Sequence, residues 1–169
     1  MKKWIIYGLM FVVALIAFNV LAVHRHAHAA LKGSDDITIV AYYRNGIMVN
    51  SIVYDLWGVS PEASHAFILG RFFQFAEELE GRDFKEVRLA YRGKTKFILD
   101  GDDFGDIGRS YKYQNPVYIV RTLPEKLKTP SGRDAYSSWS GGALGVLGAQ
   151  MDDVNQMARD WYLADMFSS

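Results

Sequence analysis

The chain has 169 residues, half of them hydrophobic, with 19 basic and 19 acidic side chains and no cysteine. The missing thiols exclude disulfides, thiolate metal sites, a cysteine nucleophile and a lipid-modified N-terminal cysteine. Lys2, Lys3 and Arg25 are the only ionic side chains among the first thirty residues, histidines aside. The remainder therefore carries a small acidic excess, which argues against a nucleic-acid binder.

Residues 4–23 form an apolar run in which Asn19 is the one strongly polar member and Tyr7 and Gly8 are milder interruptions. Positive charge ahead of such a run is the mark of export, and Ala27-His28-Ala29 offers small residues for cleavage before Ala30. The run is nevertheless long enough to cross a bilayer, which takes about 20 residues. Residues 1–30 thus read as a signal peptide or a transmembrane signal-anchor, with the basic pair holding the N-terminus in the cytoplasm. Residues 31–169 then form a single extracytoplasmic domain, of a size that suits one core. The address is the inner membrane, or the periplasm or exterior if the leader is cut. His24, His26 and His28 fit a juxtamembrane segment better than a metal tract, because no carboxylate or thiol lies beside them.

From Asp35 to Tyr54 the pattern alternates apolar and polar, and Asn45-Gly46 is a two-residue hairpin signal. That turn pairs Ile39 with Ile52 and Tyr43 with Met48. Ser60-Pro61-Glu62 then predicts a helix start. Its apolar stripe is Ile68, Leu69, Phe72, Phe73, Ala76 and Leu79, and Gly81 is its stop. Lone His65 on the buried side reads as a packed, hydrogen-bonded histidine. Residues 86–100 form the clearest sheet signal. A three-residue loop, Arg92 to Lys94, sets Leu89 opposite Phe97 and Val87 opposite Leu99, and keeps the apolar faces together.

Asp100, Asp102, Asp103 and Asp106 follow within seven residues, then Arg109. The calcium-loop pattern fails, because Phe104 and Tyr111 stand where ligands are needed. A turn and a short capped helix ended by Gly108 explain the same residues. Tyr111, Tyr113 and Tyr118 are candidates for a ligand groove or ordinary sheet residues, and residues 117–123 read as a further, edge strand. Trp139 precedes a glycine-rich approach, Gly141, Gly142, Gly145 and Gly148, that matches neither a nucleophile elbow nor a phosphate loop. Leu144, Leu147, Met151, Val154, Ala158 and Trp161 recur at helical spacing. The glycines in that helix point first to close packing, and second to a ligand approaching bare backbone.

The expected architecture is α+β: a mostly antiparallel sheet of four to five strands, two main helices on one face, and an N-terminal apolar helix. No complete catalytic constellation is visible, so the leading expectation is non-catalytic. It is a membrane-tethered or exported envelope protein that binds or assembles with another envelope protein, touching the membrane through residues 4–23 if uncleaved. No cofactor, metal or nucleic acid is expected. The alternatives are a small-ligand or glycan binding module using Asp102, Asp103, Arg109, Tyr111, Tyr113, Trp139, Gly141 and Gly145, or a hydrolase built on the acidic turn of residues 100–109. A hydrolase requires converging carboxylates, a binding module a concave aromatic pocket, and an assembly protein an exposed apolar patch or an unpaired strand edge.

Overall fold

The structure, a computed structural model, describes residues 2–30, 36–113, 115–140 and 143–168. Asp35, Gly141 and Gly142, and the side chain of Leu144, lie outside the described residues. The fold is α+β, with a five-stranded sheet in the order β1-β2-β3-β4-β5. The strands are β1 (Ile37–Arg44), β2 (Met48–Val59), β3 (Glu86–Tyr91), β4 (Lys94–Asp100) and β5 (Leu127–Lys128). Every neighbouring pair is antiparallel except β2 and β3, which are parallel and joined through helix α3 (His65–Glu78). A parallel pair needs such a crossover, whereas β1–β2 and β3–β4 close through tight turns and β5 returns to β4 only after two intervening α-helices.

Period-two alternation gives the sheet two unlike faces. On one face, three rungs cross the strands: Tyr43, Ile52, Val87, Leu99 and Leu127; then Ala41, Tyr54, Leu89 and Phe97; then Ile39, Leu56 and Tyr91. All of these are buried. Phe72 and Phe75 of α3 pack on Tyr54 with ring centroids 5.1 Å away, and Trp161 joins them at 6.2 Å. Phe104 of α4 (Gly101–Tyr111) closes the cluster against Phe72 and Phe75. The opposite face is mixed: Val53, Ala90 and Ile98 are buried on it, and Ser51, Arg44 and Arg88 all donate to one oxygen of Glu86.

Both hairpins differ in detail from expectation. In β3–β4 the loop has two residues, Arg92 and Gly93, both at positive φ (47° and 81°). The expected pairs, Leu89 with Phe97 and Val87 with Leu99, still form, because a bulge at Lys96 absorbs the odd residue. The bulge turns Lys96 toward the C-terminus, where it pairs with Asp165 at 2.8 Å. In β1–β2 the Asn45-Gly46 turn is present, but the register shifts beyond it. Tyr43 pairs with Ile52 and Ile39 with Leu56, so the first residues of β2 form a protruding tip.

The helix starts also move. Ser60-Pro61-Glu62 makes a turn, and Ser64 caps α3, accepting from the Phe67 amide at 3.1 Å. Gly108 does not end a short turn: α4 runs on to Tyr111, and a Cβ on Gly108 would stand 2.5 Å from the Ala76 carbonyl oxygen of α3. Residues 117–123 are not a strand. Asn115 caps helix α5 (Pro116–Thr122) through the Val117 amide, and Pro116 occupies the first helical position. The chain ends in α6 (Ala143–Ala158), a π-helical turn (Arg159–Leu163) and α7 (Ala164–Phe167). The wide π turn shifts the phase, so Trp161 and Tyr162 both face inward.

At the other end, α1 (Lys2–Asn19), a π-helical turn (Val20–His24) and α2 (Arg25–Ala30) form one apolar helix. Residues 3–14 of α1 stand exposed, while Val23, Ala27 and Ala30 are buried in the domain core. Asn19 explains its own presence in the apolar run. Its amide oxygen accepts from the Tyr43 N–H and its amide nitrogen donates to the Gly46 carbonyl, each at 2.8 Å. His24 accepts from the Ala41 N–H, so the helix covers the outer edge of β1. Arg82 and Arg71 fasten the same segment by donating to the Ala22 and Ala30 carbonyls.

The close approach of α3 and α4 generates one prediction. Gly108→Ala should cost about 1–3 kcal/mol by forcing those backbones apart. Gly145 and Gly148 face open space on α6, which overturns close packing as their reason. Each of those changed to alanine should instead add up to about 1 kcal/mol. Urea unfolding in mild detergent measures all three.

Candidate functional site

The acidic turn does not assemble into a site. Lys126 pairs with Asp103, Lys128 with Asp100 at 2.6 Å, and Arg109 with Asp106. Asp102 and Asp103 occupy the first turn of α4, where the helix dipole favours negative charge. Each carboxylate thus has a separate local explanation, and among the described residues no three metal-type ligands cluster. A cleft of about 470 Å³ between α4 and α5 holds Asp106, Glu125 and Lys126, but Glu125 is taken up by Gln150 and the other two by the ion pairs just named.

The remaining candidate residues scatter. Trp139 donates its indole N–H to Asp153 at 2.6 Å, and Tyr136 donates to Asp160, so both fasten the loop before α6. Tyr113 is 87% exposed after α4, Gly145 faces solvent on α6, and Gly141 lies outside the described residues. Tyr111 is the exception. Its ring packs on Phe73 at 5.9 Å and lines a groove.

This groove is the one concave apolar surface formed by the domain's helices among the hollows described here. It encloses about 370 Å³ between α3, α5 and α6. Ala66, Gly70 and Phe73 of α3 supply one wall, at the i, i+4, i+7 spacing of a helix flank. Pro116, Val117 and Val120 of α5 face them, and Met151 of α6 closes one side. Gly70 opens the space: a Cβ there meets nothing within 4 Å. Val117 is 58% exposed at the rim, and Leu147 and Met151 are each 38% exposed. The α6 stripe therefore splits in two. Val154, Ala158 and Trp161 enter the core as expected, whereas Leu147 and Met151 face out.

Sequence reasoning named Tyr111 and missed the other groove residues. The small pair Ala66 and Gly70, four apart on α3, was the available signal. It was hidden because α5 read as a strand. Asp55 was also missed. It is buried on the mixed face of the sheet, accepts from the Gly93 amide and the Tyr42 hydroxyl, and burial raises its pKa. Its role is to hold the β3–β4 turn.

His65 occupies the structural role expected of it. Its Nδ1 lies 3.2 Å from the Tyr162 hydroxyl, and burial lowers its pKa to about 4. Above about pH 6.5 the imidazole is neutral in both folded and unfolded chains. As pH falls from 6.5 toward 4, the unfolded chain binds a proton that the folded chain refuses. Stability should therefore drop by up to about 1.4 kcal/mol per pH unit in that window. His65→Gln should flatten the slope in urea unfolding between pH 7 and 5.

Compared with known proteins, the chain matches no family model, no curated protein and no solved structure at a significant level.

Proposed function

We propose that this is a single-pass envelope protein, retained by its N-terminal helix, whose extracytoplasmic domain assembles non-catalytically with a partner polypeptide at the α3–α5–α6 groove. The observation that carries the reading is the groove itself, with exposed aliphatic side chains of α5 and α6 at its rim. Soluble surfaces rarely present contiguous apolar hollows of this kind without a partner. Its size suits one or two apolar anchor side chains projected from a helix or loop, which is how small grooves capture polypeptide segments.

Retention of the anchor is supported by packing. Cleavage before Ala30 would strip Val23 and Ala27 from the core and uncover the β1 edge that Asn19 and His24 now cover. The separate pairing of Asp100, Asp103 and Asp106 favours this reading over a hydrolase, since none of these carboxylates shares a reaction centre with His65 or Arg109 beyond the local Asp106 ion pair.

The test is Gly70→Leu. It fills the groove from a helix interior where glycine is unfavourable, so the domain should be as stable as wild type or more so, by up to about 1 kcal/mol. Native mass spectrometry of protein drawn from its own membranes should show a second polypeptide on wild type and its loss on Gly70→Leu. Asp102→Ala, away from the groove, should keep it. Survival of the complex in the plugged variant defeats the groove assignment. The denatured mass should include residues 1–29, and a mass beginning at Ala30 defeats retention.

A further inference from the structure

The β1–β2 tip is apolar where a turn is usually polar. Residues 45–50 read Asn-Gly-Ile-Met-Val-Asn, without a charge. Ile47 is 60%, Met48 41% and Val49 54% exposed. The register shift between Tyr43 and Arg44 pushes this segment beyond the end of the sheet. Three neighbouring aliphatic side chains are thus held in the open at a protruding point.

Their position relative to α1 gives them an occupant. Asn19 binds the tip at Gly46, and the Phe18 ring stacks on Tyr43 at 5.4 Å. Val12, Leu15 and Ile16 of the same helix share an apolar hollow of about 520 Å³ with Gly46, Val40 and Tyr42. The tip therefore lies alongside the last turns of α1, at the level of Asn19.

A length argument then sets its depth. The hydrocarbon layer is about 30 Å thick, which takes about 20 helical residues. From Lys3, the last charge on the N-terminal side, to Asn19 the helix rises only about 24 Å at 1.5 Å per residue. Helix tilt shortens that reach further. The outer hydrocarbon boundary must fall past Asn19, toward Val23 and ahead of the next charge, Arg25. A tip tied to Asn19 is then below that boundary. Arg82, bonded to the Ala22 carbonyl, sits at headgroup level. Three of the tip's backbone groups are bonded within the protein, in the direction that lipid demands. The Gly46 N–H bonds the Tyr43 carbonyl, the Ile47 N–H bonds the Arg44 carbonyl, and the Gly46 carbonyl is bonded by Asn19.

We infer that residues 46–49 are a second membrane contact, inserted into the acyl layer beside α1 and fixing the rotation of the domain on the bilayer. This rests on the reading of α1 as a retained anchor. Two contacts at different points restrain a domain that a single helix would leave free to swivel, so the α3–α5–α6 groove is presented at a set orientation.

The absence of native cysteine makes the test direct. Single cysteines at Ile47 in the tip, Val13 in α1 and Lys94 at the far end of the sheet are labelled with an environment-sensitive nitrobenzoxadiazole fluorophore. The full chain is reconstituted into phosphatidylcholine–phosphatidylglycerol vesicles with and without doxyl-labelled lipid. Ile47→Cys and Val13→Cys should both show blue-shifted emission and severalfold stronger lipid quenching than Lys94→Cys. An Ile47 label that behaves like the Lys94 label while Val13 is quenched overturns the inserted tip and leaves the anchor standing. A Val13 label that is not quenched overturns the anchor, and the inserted tip with it.

Discussion

A sheet with an open edge must cover that edge or be joined by another chain. Here the outer edge of β1 is covered by the chain's own N-terminal helix, through Asn19 at the Tyr43 N–H and Gly46 carbonyl and His24 at the Ala41 N–H. The other edge is a two-residue strand, β5, protected by the bridge between Lys128 and Asp134. Neither edge is left as a long template for strand addition. This one constraint also ties the apolar helix to the fold. The same side chain that makes the helix imperfectly apolar makes it part of the sheet.

The core follows from the unlike faces of the sheet. Tyr54 stands at the middle of the buried face, surrounded by Phe72, Phe75 and Trp161, and Phe104 packs behind them. These rings come from β2, α3, α4 and the C-terminal π turn, so the cluster joins elements more than a hundred residues apart in the chain. Trp161 also donates its indole N–H to the Ala90 carbonyl at 3.0 Å, beside the β4 bulge. The bulge, the indole and the Lys96–Asp165 pair thus dock the C-terminal helix onto the sheet. That docking aligns α6, and α6 with α5 forms the groove opposite α3.

The polar groups divide between structure and surface by the same logic. Glu86 and Asp55 are each held by partners that explain them, His65 is bonded through Nδ1, and Asp100, Asp103 and Asp106 each pair with a separate cation. Chemistry needs groups that converge on a shared free volume. The cleft beside α4 is lined by carboxylates that are already paired, while the α3–α5–α6 groove is lined by apolar side chains.

The sequence by itself determined the α+β class, the apolar N-terminal helix, both hairpins, the face of α3 and the side-chain pairs of β3 and β4. These depend on local periodicity, which composition and spacing carry. It also determined that His65 would be packed and hydrogen-bonded, because its neighbours on the helix are apolar. Tertiary structure alone decided the rest. Val117 and Val120 have strand-like character, but the Asn115 cap and Pro116 commit the segment to a helix that packs on α3 and α6. Gly108 reads as a stop until α3 is placed 2.5 Å from where its Cβ would be, and Gly145 reads as close packing until its surroundings prove open. The carboxylates of residues 100–109 look like a cluster in one dimension, yet a helix points successive side chains in different directions, toward Lys126, Lys128 and Arg109. Asn19 looks like a flaw in a membrane span until it meets the edge of β1. A groove exists only where three helices meet, and a sequence read one element at a time contains no such place.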